Sequence, residues 1–307
     1  LVPSCLAFNP LHPFSPPNQP PFSPSPRPPH RMLSLSFPFS TSLFPSPSVF
    51  SSTGAPSPDP LTPRPLRMRP LGTSDILVSE ACLGGMTWGS VQSDEMEAAE
   101  QLSLAWDYGV NFLDSAEAYP VPLAAETFGA TDRAFAKWRR SVRMPRDRCV
   151  ISTKVSGYND RYTWMRESGE GTQLSKAQIR ESIDGSLSRL ETDYIDVLQL
   201  HWPERPVSLT GPRGRGVAGE HDNTKGERSR GITPIEEQVE AIAEAVEAGK
   251  VREWGLSNEN TEGVLAFRAA ADAIGLKPPA VVQNAYSLLQ RVDEYSLVPE
   301  ALEPTGG

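Results

Sequence analysis

From residue 76 onward, short apolar runs alternate along the chain with stretches in which apolar residues recur every three to four positions. The first pattern predicts buried strands, and the second predicts helices with one buried face. The predicted strands are residues 80–86, 110–114, 149–154, 194–201, 251–257 and 280–285. The predicted helices are residues 94–108, a segment that begins after Ser175, the segment between Thr233 and Gly249, and residues 261–274.

Polar and glycine residues mark the ends of these helices. Ser93 is predicted to cap the first helix and Gly109 to end it, because a hydroxyl accepts from free backbone N–H groups and glycine adopts a positive φ. For the later helices, Ser175 and Gln178 are predicted to form a capping box at the start of one helix, and Thr233 and Glu236 at the start of the next. Pro234 is predicted to take the first position of that next helix, and Gly249 to end it.

The regular order of strand, helix and strand predicts an α/β protein with a parallel sheet, either doubly wound or closed as a (β/α)8 TIM barrel. A doubly wound nucleotide-binding sheet opens with a G-x-G-x-x-G turn after its first strand. The segment LGGMTWG at residues 83–89 does not have that pattern, so the barrel is favoured. Residues 203–232 interrupt the order with a long polar loop rich in glycine, and loops of that kind are usually functional or disordered.

The first 70 residues differ from the rest of the chain. They hold 20 of the 31 prolines and no acidic residue before Asp59. Their few apolar residues cannot offset the entropy lost on ordering, so residues 1–70 are predicted to be a disordered leader and residues 71–307 a barrel domain. A weakly basic, serine-rich leader is typical of a chloroplast transit peptide, which predicts a plastid location. An untargeted proline-rich tail on a cytoplasmic protein is the alternative.

Charge and cysteine content exclude several classes of function. Residues 1–70 carry a charge of +4 and the remainder −13, and an acidic body argues against a nucleic-acid partner. No apolar run reaches the length of about 18 residues that a membrane span needs. Cys5, Cys82 and Cys149 are too scattered for a disulfide framework or a zinc site, so reduced thiols and no metal are expected.

Three successive predicted strands end in titratable side chains. Asp114 follows VNFL, Lys154 follows VIST and His201 follows DVLQL, while Tyr119 lies five residues beyond Asp114. Because the carboxyl ends of barrel strands meet at one mouth, these four residues are predicted to form a proton-transfer site. Lys154 would neutralise Asp114 and lower the pKa of Tyr119, and His201 would orient a carbonyl oxygen. A structural ion pair, an aromatic turn anchor and a half-buried histidine are the alternative interpretations.

The later strands end in neutral polar residues. Ser257 and Asn258 end one strand, and Gln283 and Asn284 end the next. Such groups can bind a carboxamide like that of nicotinamide, although they cannot transfer protons at neutral pH. Capping of strand-end turns is the alternative role.

Six segments carry a resemblance to a known family. They are LGGMTWG, YGVNFLDSAEAYP, VISTKVSG, LETDYIDVLQLHWP, GKVREWGLSN and VVQNAYSLLQR, in this order within residues 71–295. On these segments the chain resembles the aldo-keto reductase family, and AYPVP, HWPERP and QNAYSLL resemble its Tas-like bacterial and plant branch. The resemblance implies a (β/α)8 barrel that reduces carbonyl compounds with NADP(H). It also implies a catalytic tetrad of Asp114, Tyr119, Lys154 and His201, with Tyr119 as the general acid.

The same resemblance assigns binding residues. Ser257, Asn258 and Gln283 would contact the nicotinamide carboxamide. By the same resemblance, Thr87 and Trp88 would line the pocket near cofactor or substrate. Tyr158 and Trp164, in a predicted loop at the barrel mouth, and Trp202 are further candidates for the substrate wall. The aromatic side chains among them favour apolar or aromatic carbonyl substrates.

The chain departs from the family pattern after the sixth predicted strand, where it stops. About six of the eight strand–helix units are then present, and the family's basic loop for the cofactor 2′-phosphate is missing. We therefore expect this chain to be a poor reductase. One alternative is a nucleotide-binding regulator that resembles the potassium-channel β-subunits, and another is a truncated fragment without activity. The physiological substrate and the oligomeric state are not predicted.

Overall fold

A computed structural model of the chain describes residues 66–90, 93–205 and 231–302. It begins with an antiparallel hairpin of β1 (Met68–Pro70) and β2 (Leu77–Ser79). The sequence pattern does not predict this hairpin, and β1 occupies the last three residues of the predicted leader. Residues 1–65 of that leader, and residues 206–230 of the glycine-rich loop, lie outside the described residues.

A parallel sheet of six strands follows the hairpin. Its strands are β3 (Cys82–Gly84), β4 (Phe112–Asp114), β5 (Val150–Val155), β6 (Ile195–Leu200), β7 (Val251–Ser257) and β8 (Val281–Gln283). Each strand pairs with its neighbours in the sequence, and the sheet curls into a half-barrel. A doubly wound sheet would reverse its strand order near the centre. The prediction of a (β/α)8-type barrel with about six strands present is therefore confirmed.

Within the described residues, five helices connect the six strands on the outside of the sheet. They are α1 (Glu95–Asp107), α2 (Ala130–Ser141), α3 (Lys176–Leu190), α4 (Ile235–Glu247) and α5 (Thr261–Ala273). Four of them are predicted, whereas α2 is not, because its sequence is mostly polar and follows a proline-containing turn. Short helical turns lie at Arg146–Arg148, Thr163–Met165, Val292–Tyr295 and Val298–Leu302. Among the described helices, none has the length and apolar character that crossing a membrane requires.

The ends of α1 show one wrong and one confirmed prediction. Asp94, and not Ser93, caps the helix by accepting from the N–H groups of Met96 and Glu97 at 2.8 and 2.9 Å. The carboxylate also places negative charge at the positive end of the helix dipole. Gly109 follows the helix with a φ of 88°, a conformation that favours glycine, and so ends it as predicted.

Neither predicted capping box forms, since no side-chain cap hydrogen bond occurs at the start of α3 or α4. Gln178 instead accepts from Nε of Arg166 at 3.0 Å. Thr233 donates its backbone N–H to the buried carboxylate of Glu204 at 2.8 Å, and Pro234 takes the cap position of α4. Tertiary partners therefore outcompete the local caps at both helices.

The strands separate two apolar layers. Leu113, Ile151 and Leu198 face the helices. Their neighbours Phe112, Val150, Val197 and Val281 point to the inner face, where they pack with Leu71, Ile76 and Val78 from the hairpin and its turn. Because side chains on one face recur every second residue, the inner rows continue toward the carboxyl ends through Asp114, Lys154, Gln199 and Gln283. The inner face thus changes from apolar at the hairpin to polar at the opposite end.

Candidate active site

Asp114 and Lys154 form a buried ion pair at the carboxyl ends of β4 and β5. The ammonium of Lys154 donates to both carboxylate oxygens at 2.7 Å and to the carbonyl of Ser115 at 2.8 Å. The Lys154 side chain is 1% exposed and that of Asp114 is 6% exposed. A charge inside an apolar strand thus has a fixed partner, which offsets the cost of removing it from water.

Tyr119 and His201 lie against this pair. The ammonium of Lys154 is 5.0 Å from the centroid of the Tyr119 ring, and the rings of Tyr119 and His201 meet edge to face at 5.6 Å. Tyr119 is held in the turn after β4, where its N–H donates to Ala116 and its carbonyl accepts from Gly129. The structure therefore brings together all four residues of the predicted tetrad, from three strand ends and one loop.

The predicted carboxamide-binding residues lie beside the tetrad and are linked to it. Gln283 donates to Asp114 Oδ2 at 3.1 Å, and Asn258 donates to the carbonyl of His201 at 2.9 Å. The hydroxyl of Ser257 donates to the carbonyl of Gln283 at 2.9 Å. These contacts place amide and hydroxyl groups within one side chain of the ion pair.

Gln199 is a member of this set that the sequence interpretation misses. Its amide group donates to Gln283 Oε1 at 2.8 Å and to Ser152 Oγ at 2.7 Å. The signal in the sequence is its place two residues before His201, hence on the same face of β6. Its buried Oε1 has no hydrogen-bond partner within residues 66–90, 93–205 and 231–302.

Asp114, Gln199, Gln283 and Asn284 line one part of a cavity of about 1060 Å³, and the rest of its wall comes largely from the hairpin, α5 and residues 278–302. Amide groups and an orphaned carbonyl oxygen suit a ligand that both donates and accepts hydrogen bonds, as a carboxamide does. The residues present thus fit the nicotinamide end of a nicotinamide cofactor.

The predicted substrate residues divide into two groups. Trp202 and Tyr158 lie next to His201: the Trp202 ring is 4.8 Å from the His201 ring, and its indole N–H donates to the Tyr158 carbonyl at 3.2 Å. A side chain on Gly157 would meet the Trp202 carbonyl at 2.2 Å, so this close approach requires glycine.

The other predicted substrate residues are not brought to the tetrad by any described contact. Trp88 is buried in the apolar layer under α1 and α2, and its indole N–H donates to Gln101 at 2.9 Å. Trp164 is 37% exposed and packs on Tyr162. Thr87 is half-buried, and its carbonyl accepts from Ser90.

A second buried ion pair, between Glu117 and Arg166, lies beside the first. Arg166 donates to the two carboxylate oxygens of Glu117 at 2.9 and 3.0 Å, and both side chains are at most 1% exposed. Burial alone would raise the pKa of Glu117, but the charge of Arg166 and its hydrogen bonds hold that pKa below its usual value. Glu117 lies two residues before Tyr119, the predicted general acid. Nothing in the sequence identifies Arg166, 49 residues after Glu117, as its partner.

A third buried carboxylate, Asp132 of α2, reaches the same strand end from the helix side. Ser115 donates to it at 2.5 Å and Arg189 at 2.9 Å. Burial raises the pKa of Asp132, and the charge of Arg189 offsets this only in part. Burial likewise raises the pKa of the Cys149 thiol, in line with the prediction of a buried thiol there. No group of three or more histidine, cysteine or acidic residues suited to a metal ion occurs in the described ranges.

Comparison with known proteins identifies the family. The family model named "Aldo/keto reductase family" matches residues 80–303, which include every strand of the half-barrel. The chain belongs to the aldo/keto reductase family. The resemblance inferred from the motifs is thereby confirmed.

Several relatives of this family member cover most of its described part. "Protein tas" of Escherichia coli is 36% identical over 228 residues, which are 73% of this chain and 61% of that protein. "Aldo-keto reductase YhdN" of Bacillus subtilis is 30% identical over 71% of this chain and 52% of its own length. A "probable voltage-gated potassium channel subunit beta" of Arabidopsis thaliana is 30% identical over 74% of this chain and 57% of its own length. The chain thus spans about three fifths or less of each of these proteins.

Proposed function

We propose that this family member reduces an aldehyde or ketone to an alcohol, with NADPH as the hydride source and Tyr119 as the general acid. The observation that carries the proposal is the placement of the buried Asp114–Lys154 pair directly beside the Tyr119 and His201 rings. Membership of the aldo/keto reductase family supports carbonyl reduction with a nicotinamide cofactor in general. The choice of NADPH over NADH comes from the motif resemblance.

Each residue of the tetrad has a chemical task in this reaction. When bound, the cofactor supplies a hydride to the carbonyl carbon. Tyr119 gives the proton that the carbonyl oxygen needs, and the nearby cation of Lys154 stabilises the phenolate left behind. Asp114 keeps that cation in place, and His201 orients the carbonyl oxygen.

The polar residues of β7 and β8 would hold the cofactor. Gln283, Ser257 and Asn258 would bind its carboxamide, and Gln199 would orient the amide of Gln283 through their 2.8 Å hydrogen bond. Trp202 and Tyr158 would form the wall of the substrate pocket next to His201. Their apolar surface favours hydrophobic carbonyl substrates.

Tyr119→Phe tests the acid role. The substitution removes the proton donor and keeps the ring, so we expect kcat for carbonyl-dependent NADPH oxidation to fall by about 10²–10⁴-fold. Tyr162→Phe, at the same end of the sheet in the cluster with Trp202, is the matched control and should retain most of the rate. The measurement follows absorbance of NADPH and of NADH with a panel of aldehydes and ketones. Retention of most of the rate in Tyr119→Phe would remove Tyr119 from this role.

A second candidate function is nucleotide-dependent regulation of a partner protein. The similarity to probable potassium-channel β-subunits from Arabidopsis thaliana and Oryza sativa favours it. The two functions differ in turnover: a regulator binds NADPH, detected by quenching of protein fluorescence, without oxidising it in the presence of carbonyl compounds. Turnover that disappears in Tyr119→Phe favours the reductase.

A further inference from the structure

Glu117 ties the loop that carries Tyr119 to the end of β5. The backbone N–H of Glu117 donates to the carbonyl of Lys154 at 3.1 Å, and its carboxylate accepts from the N–H of Ser156 at 2.7 Å. These two bonds extend the pairing between β4 and β5 beyond Asp114. The register between Tyr119 and Lys154 therefore depends on where Glu117 sits.

Arg166 holds Glu117 from the other side. Its guanidinium binds both carboxylate oxygens, and the rest of the group is satisfied by Gln178 at 3.0 Å and the carbonyl of Met165 at 2.9 Å. Two parallel hydrogen bonds fix the angle of a carboxylate as well as its distance. The pair thereby joins the loop after β4, the loop after β5 and the first turn of α3.

We propose that the Glu117–Arg166 pair is a positioning device that holds the Tyr119 hydroxyl in register with the Lys154 ammonium. Neither member is placed to touch substrate or cofactor, since both side chains are at most 1% exposed. The role in catalysis rests on the proposed function, whereas the role in placing the phenol does not. Misplacement of a reacting group by about 1 Å can cost a rate factor of roughly 100, so a rigid tie at this point matters for turnover.

The opposite end of the same strands contains a matched ion pair. Asp196 at the start of β6 accepts from Arg146 at 2.7 Å, from Arg252 at 2.8 Å and from the N–H of Ile151 at 2.9 Å. Like Glu117, Asp196 is a buried carboxylate that accepts hydrogen bonds from arginine and from a backbone N–H. That N–H belongs to Ile151 of β5 for Asp196 and to Ser156, just after β5, for Glu117. It lies at the amino ends of the strands, away from Tyr119.

The experiment compares Glu117→Gln with Asp196→Asn in the full chain. Both substitutions remove one buried negative charge, and both should lower the melting temperature. Glu117→Gln should lower kcat about 10- to 100-fold with KM changed much less. It should also shift the titration of Tyr119, measured as tyrosinate absorbance relative to Tyr119→Phe, toward higher pH, because the phenol moves away from the cation. Asp196→Asn should leave the Tyr119 titration unchanged, and it should leave kcat unchanged when the rate is calculated per folded molecule.

Two outcomes overturn the proposal: an unchanged Tyr119 titration in Glu117→Gln, or equal changes of that titration in both variants. If no carbonyl compound supports NADPH oxidation by the unmodified chain, the proposed function fails, and the tyrosinate measurement still decides the positioning role. If Glu117→Gln does not fold, Arg166→Lys replaces it. Lysine keeps the charge but cannot form the two parallel bonds, so the same shifts should appear in smaller size.

Discussion

The two ends of the half-barrel use buried carboxylates in different ways. At the site end, both members of the two pairs around Tyr119 are withdrawn from water: Asp114 and Lys154 are 6% and 1% exposed, and Glu117 and Arg166 are 1% and 0% exposed. At the hairpin end, Asp196 is 2% exposed, but its partners Arg146 and Arg252 are 12% and 42% exposed. The two arginines of the hairpin end therefore keep part of their hydration, as Arg189 beside Asp132 also does at 14% exposure, whereas Lys154 and Arg166 do not.

This difference decides what each pair can do. A hydrated cation is screened, so the hairpin pairs chiefly hold strand ends together. A cation without water acts over several ångströms through a medium of lower effective dielectric, so the charge of Lys154 reaches the Tyr119 ring 5.0 Å away. Each of these buried charges therefore depends on one oppositely charged partner for its neutralisation.

The largest effect is expected for Lys154→Met. Loss of the cation leaves Asp114 buried without its neutralising partner, so the free energy of unfolding should fall by about 3–5 kcal/mol. The rate of NADPH oxidation should fall by about 10²–10⁴-fold, because Tyr119 loses the charge that stabilises its phenolate. Urea unfolding and NADPH absorbance measure the two effects.

The double variant Asp114→Asn with Lys154→Met sharpens this prediction. It removes both charges, so most of the lost stability should return while the rate stays low. Return of the rate together with the stability would show that the pair at the site end is structural, like the pairs at the hairpin end.

A smaller effect is expected from acid. The pKa of Glu117 in the folded protein lies below its usual value of 4.5, so the unfolded chain takes up this proton first as the pH falls. The stabilisation from Glu117 is complete above that usual value and is lost as the pH falls through the lower folded pKa. Each unit by which the pKa is lowered corresponds to about 1.4 kcal/mol.

Urea unfolding between about pH 3 and pH 6 measures this loss. Glu117→Gln should flatten the acid limb of the stability curve relative to the unmodified chain. Asp132 has a pKa shifted in the opposite sense, so it contributes a change of opposite sign, which is smaller in Glu117→Gln because the charge of Glu117 is among the causes that raise the Asp132 pKa. Parallel acid limbs in the two proteins would contradict a lowered pKa for Glu117.

The smallest effect is expected for Arg252→Ala at the hairpin end. This cation is 42% exposed, and Asp196 keeps Arg146 and the N–H of Ile151 as partners. The free energy of unfolding should therefore fall by less than about 1 kcal/mol. Arg166→Ala, its counterpart at the site end, should cost several times more. Equal losses of unfolding free energy in Arg252→Ala and Arg166→Ala would mean that the exposure of the cation does not set the strength of these ion pairs.

The positions of strand ends in the sequence were sufficient to predict that Asp114, Tyr119, Lys154 and His201 lie together, because parallel strands of a barrel expose their carboxyl ends at one rim. The same logic does not predict which aromatic residues join it. Trp88 is close to a strand end in sequence, but its side chain turns toward the helices, whereas Trp202 lies against His201. The direction of a side chain beyond the last strand residue depends on packing that local sequence does not encode.

Partners far apart in sequence were also beyond prediction. Glu117 and Arg166 are separated by 49 residues, and Asp196 and Arg252 by 56, with no motif that links either pair. Thr233 and Gln178 have the residue types of helix caps, yet both bind tertiary partners instead. Local hydrogen bonds of this kind are weak enough that a buried charge nearby redirects them.

Periodicity and strand direction are local properties of the chain, and they predicted the order of six strands, four of the five helices described between them, and the meeting of Asp114, Tyr119, Lys154 and His201. Which charges are paired, which cations keep their water and how the Tyr119 loop is tied to β5 follow from the tertiary structure. Those features depend on burial and on contacts across dozens of residues, and burial sets the strength of every charge in the site.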